Sequence, residues 1–165
     1  MIVLAVFAAA WACSGVLLSG GAAGFALLPV LISGTLLAWG WRRTGMVPSR
    51  GPHVGKLVGR WSAAEGVAIL IASYVLQRLH REELIFSVTV IIIGLHFFPL
   101  ARGIPVPLYH ATGAAFVSLG LVALLLPGAQ QAVVVCLGAA LILWGTVLVA
   151  MLRAGTGMMV ATSRD

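Results

Sequence analysis

Apolar residues in this chain fall into six nearly unbroken runs, not into the alternating or one-faced patterns of water-soluble strands and helices. The runs predict helices over about Ile2–Leu18, Ala22–Trp41, Trp61–Leu76, Leu84–Leu100, Ala111–Leu126 and Ala132–Leu152. A helix needs roughly 20 apolar residues to cross the hydrocarbon layer, so these are six rather short spans with little tilt or a locally thin bilayer. Trp39, Trp41, Trp61 and Tyr109 fall where interfacial anchors belong. Turn and polar residues fill the connections: Ser19-Gly20-Gly21, the Arg42–Arg60 loop, Gln77–Glu83, Ala101–His110 and Pro127–Gln131. The expected fold is all-α, a polytopic membrane helix bundle of about six transmembrane helices, with residues 1–165 forming a single transmembrane domain.

Composition supports the membrane reading. With 61% hydrophobic residues, 8% charged residues and a mean hydropathy of +1.12, too little polar surface exists to cover a water-exposed domain. The net charge of +6 lies between the spans and not on a soluble basic face. The expected partner is therefore the lipid bilayer and not nucleic acid.

The first run is kept as a span. Ala10-Trp11-Ala12-Cys13 has the small residues of a cleavage site, but no basic segment precedes it as a signal peptide requires. The sequence contains no Asn, which excludes N-glycosylation, and nine Arg against one Lys suits a GC-rich bacterial genome. A bacterial inner membrane is the expected location.

Orientation follows from the basic residues. With both termini cytoplasmic, Arg42, Arg43, Arg50, Lys56, Arg60, Arg102, Arg153 and Arg164 lie inside, and only Arg78 and Arg81 lie outside. The excess of cytoplasmic Lys and Arg selects this arrangement. Arg78, Arg81, Glu82 and Glu83, with His80 among them, match the polarity of two helix ends and are read as helix-end electrostatics.

Within the apolar runs only two side chains, Glu65 and His96, are acidic or basic. A charged group in hydrocarbon costs from about 2.5 to more than 10 kcal/mol, so it faces a partner or a water-filled cavity. At about 1.5 Å per residue, Glu65 lies roughly 7.5 Å from the Arg60 end of its helix and His96 roughly 9 Å from the Arg102 end of the next. The two can therefore meet. Ser62, Glu65, Gly66, Ile69 and Ser73 share a small, polar face suited to packing on another helix, and Thr89 shares a face with His96. Pro99 is expected to bend or end the fourth helix and to free the Leu95 carbonyl. Arg102, Tyr109, His110 and Thr112 complete a set on the same side of the membrane.

These residues point to binding or transport of a polar small molecule or a proton, with Glu65 as proton acceptor, His96 as its partner, and Arg102 and His110 near the cytoplasmic mouth. No enzymatic motif accompanies them. Two other classes compete: an accessory subunit, in a homo-oligomer or membrane complex, whose Glu65–His96 pair only fixes helix register, and a redox protein holding haem between His96 and His110. Gly51–Lys56 fails as a phosphate loop, because three residues instead of four separate Gly51 from Gly55 and Leu57 replaces the required Ser or Thr. Cys13 and Cys136 are read as small packing residues, and Ala114/Ser118 and Gly34/Ala38 as close helix contacts.

Overall fold

The computed structural model describes residues 2–44, 52–104 and 106–162. Its six helices are α1 (Ile2–Leu18), α2 (Leu27–Thr44), α3 (Pro52–Arg78), α4 (Ile85–Gly103), α5 (Leu108–Ala123) and α6 (Gly128–Thr162). Single 3₁₀ turns at Ala23–Ala26 and Glu82–Leu84 lead into α2 and α4, and no strand occurs among the described residues.

Helix α6 is the hub, packing on α1, α2, α4 and α5. Its inward residues Val135, Ala139, Leu143 and Val147 are buried at a helical spacing of four. Helix α5 lies closely along α4, whereas among the described residues α3 packs on no helix but α4. Phe97 and Phe116, stacked at 5.8 Å, join α4 to α5 within the core.

Gly24–Arg42, Glu82–Gly103 and Gln130–Arg153 are long and apolar enough to cross a membrane, and α1 and α5 are shorter apolar helices. Large apolar side chains such as Phe7, Leu28, Leu70 and Leu125 are exposed on the outer surface. An apolar surface of this kind is compatible with a membrane protein.

Several boundaries differ from the sequence pattern. Helix α3 starts at Pro52, so Lys56 and Arg60 belong to a helix and not to a loop. Proline suits a first helical turn, and Leu57 in the extension lies over Gly103 of α4. Helix α4 continues through Pro99 to Gly103 instead of ending near the proline. Helix α5 starts at Leu108 and closes at Ala123, and α6 continues to Thr162, ten residues past Leu152.

The turns after α1 and α3 use the same chain reversal. Gly21 and Gly20 return hydrogen bonds to Val16 and Leu17, and Arg81 and His80 return them to Leu76 and Gln77. In each, the penultimate residue is left-handed, Gly20 at φ 75° and His80 at φ 53°. His80 thus has a backbone role, while Arg81 pairs with Glu83 at 3.3 Å.

Candidate functional site

Helices α3 and α4 bring Glu65 and His96 together. Glu65 Oε2 lies 3.6 Å from His96 Nδ1, and the two side chains are 19% and 9% exposed. That separation is too long for a hydrogen bond, and Nδ1, wholly buried, has no hydrogen-bond partner. The backbone of Trp61, one turn before Glu65, supplies the imidazole's other polar contact. The ring also meets Phe97 edge-on at 6.1 Å.

Both members of the pair line a cleft of about 940 Å³. One wall is the α3 face carrying Ser62, Glu65, Gly66 and Ile69, and the opposite wall is α1 through Phe7 and Trp11. Residues of α4, including Thr89 and His96, form the floor. Among the described residues α1 and α3 do not pack closely on each other, and the cleft lies between them. Its polar groups are few and lie in a mostly apolar surround, the composition typical of small-molecule sites.

The other sequence-derived candidates separate. Tyr109 lines the cleft and meets Phe97 at 5.7 Å. Arg102, in the last turn of α4, and His110, in the first turn of α5, are exposed and outside the cleft lining. The His110 ring lies 6.0 Å from Phe98, and of the two histidines only His96 lines the cleft. Thr112 points to α6, where its hydroxyl is 2.9 Å from that of Thr146. Among the described residues no three His, Cys, Asp or Glu side chains gather as a metal site.

The α3 small-residue face is only half covered: Glu65, Ile69 and Ser73 are part-buried, whereas Ser62 and Gly66 are exposed. Nothing lies within 4 Å of a side chain added at Gly66, and Ser62 and Gly66 open into the cleft. Gly34 is equally open, and Ala114 and Ser118 are exposed. The close helix contact is elsewhere: a methyl group on Gly94 would lie 2.8 Å from the Gly113 carbonyl oxygen, and one on Gly113 would lie 2.8 Å from that of Gly94. Cys13 and Cys136 are both free thiols, Cys136 buried and Cys13 donating to the Ala26 carbonyl at 3.2 Å.

Sequence reasoning did not single out two interhelical bonds, the buried one from Gln131 to Ser87 at 2.7 Å and the part-buried one from Trp144 to Ser33 at 2.9 Å. Their only sequence signal is a polar side chain in or beside an apolar run. Comparisons with protein-family models, curated proteins and solved structures give no match.

Proposed function

We propose that this is a small multi-pass inner-membrane protein, both termini cytoplasmic, that binds or moves a polar solute or proton at Glu65 and His96. The observation that carries the reading is the placement of this acid–base pair, 3.6 Å apart, on the wall of a 940 Å³ cleft. One imidazole nitrogen engages the Trp61 backbone. The other can accept a proton from neutral Glu65 or, once protonated, face its carboxylate. Either state holds one shared proton, so the pair stays neutral overall in a poorly solvated place. A hydrogen-bonding group entering the cleft reaches Glu65, the more exposed member. Arg102 and His110 are assigned to the cytoplasmic surface beside the site, where they attract anionic groups without lining the cleft.

Proteoliposomes carrying an internal pH dye test the site. Glu65→Gln keeps the shape but removes the titrating carboxyl, and should lower proton flux under an imposed gradient at least tenfold while the protein still elutes as a folded species. Flux equal to that of the parent protein would refute the proton role and favour an accessory subunit with a structural pair. Topology is tested separately. Reporters fused after Arg50 and at the C-terminus should read cytoplasm, and one after Arg81 the opposite side, because eight of the ten basic residues lie on the first side. A periplasmic signal after Arg50 would reverse the orientation.

A further inference from the structure

The apolar character of the cleft identifies what enters it. Along α3 its lining runs from Val54 to Ile69, which at about 1.5 Å per residue is a trough roughly 22 Å long. Its length matches an extended hydrocarbon chain. Its 940 Å³ also lies near the top of the usual range for small-molecule sites, about 300–1,000 Å³.

Access is sideways. The trough lies between α1 and α3, with the exposed Val3 and Phe7 in its α1 wall. Such walls hold a polar solute only through their few polar groups, whereas a chain already in the bilayer exchanges one apolar environment for another along their whole length. The added attraction must come from the polar end. Glu65 presents a carboxyl to the trough, Ser62 and Thr89 add hydroxyls within it, and His96, its side chain nine-tenths buried, stands beside Glu65 with Nδ1 unpartnered.

We infer that the cleft binds a single-chain amphiphile drawn from the bilayer, its chain along the α1–α3 trough and a hydroxyl-bearing head donating a hydrogen bond to Glu65. The inference rests on Glu65 and His96 being a ligand-contacting pair. Glu65 meets the head directly, and His96 is a positioning residue that orients the carboxyl.

The test uses the full chain in nanodiscs and a long-chain fatty alcohol bearing a diazirine in mid-chain. Photolabelling, mapped by peptide mass spectrometry, should concentrate on the α1 and α3 walls and be displaced by unmodified octadecanol. Gly66→Trp fills the trough from a position with nothing within 4 Å and should abolish saturable labelling. Glu65→Gln should weaken the apparent affinity at least fivefold without moving the label. Labelling that is unsaturable, or unchanged in Gly66→Trp, would overturn the inference as ordinary lipid solvation. Labelling lost in Gly66→Trp but unaffected by Glu65→Gln would put a chain in the trough without a head contact at Glu65 and overturn the inference, while the proton role of the pair is judged by the flux measurement alone. A dimer seen by native mass spectrometry and split by Gly66→Trp would assign the trough to a second copy and also overturn the proposal.

Discussion

The α4–α5 interface and the α1–α3 face use the same kinds of residues to opposite ends. Between α4 and α5, Gly94 and Gly113 bring two backbones so close that neither position has room for a methyl group. Gly66 on α3 is also a glycine in a mostly apolar helix, yet it borders open space. Polar side chains divide in the same way. Gln131, 1% exposed, is satisfied by Ser87 at 2.7 Å, whereas His96 faces Glu65 across 3.6 Å with Nδ1 unpartnered. A small or polar residue in such a chain thus has no meaning of its own. Its role depends on whether a second helix arrives opposite it. Where one does, close packing and hydrogen bonding hold the bundle together; where none does, a cleft with unspent hydrogen-bonding capacity remains.

The glycines provide the strongest test of this contrast. Gly94→Val would press against backbone atoms of α5 that cannot rotate away, at a cost of about 3 kcal/mol. Gly66→Val projects into the cleft and should change stability by less than about 0.5 kcal/mol. Thermal unfolding in detergent, followed by circular dichroism, measures both. Equal losses would dissolve the distinction between the two faces.

A smaller effect is expected from the buried hydrogen bonds. Gln131→Leu leaves the fully buried Ser87 hydroxyl without its interhelical partner, a loss of about 1–2 kcal/mol. Thr146→Val, which removes the contact to Thr112, should cost only about 0.6 kcal/mol, the average for interhelical hydrogen bonds in membrane bundles. The same unfolding measurement ranks them. A Thr146→Val loss larger than that of Gln131→Leu would show that the bond Thr112 keeps to the Leu108 carbonyl, at 3.0 Å, does not soften the loss.

The apolar runs alone determined the helix content and the number of helices, because a run near twenty residues long has no other way to satisfy its backbone in an apolar medium. They also isolated Glu65 and His96, since an ionisable group stands out against such a background, and simple rise-per-residue arithmetic brought the pair to one depth. The sequence could not show that α3 begins at Pro52. The added turns are short and interrupted by charge, and their place is settled by Leu57 resting on Gly103 of another helix. Nor could it show that Thr112 turns to Thr146, that His110 and Arg102 stay outside the cleft, or that Gly94 and Gly113 carry the close contact in place of Ala114 and Ser118. Helical periodicity tells which residues share a face of one helix, but it does not tell which neighbour covers that face. Only the tertiary arrangement, with α6 at the hub and α1 and α3 held apart, decided which faces became core and which became the cleft.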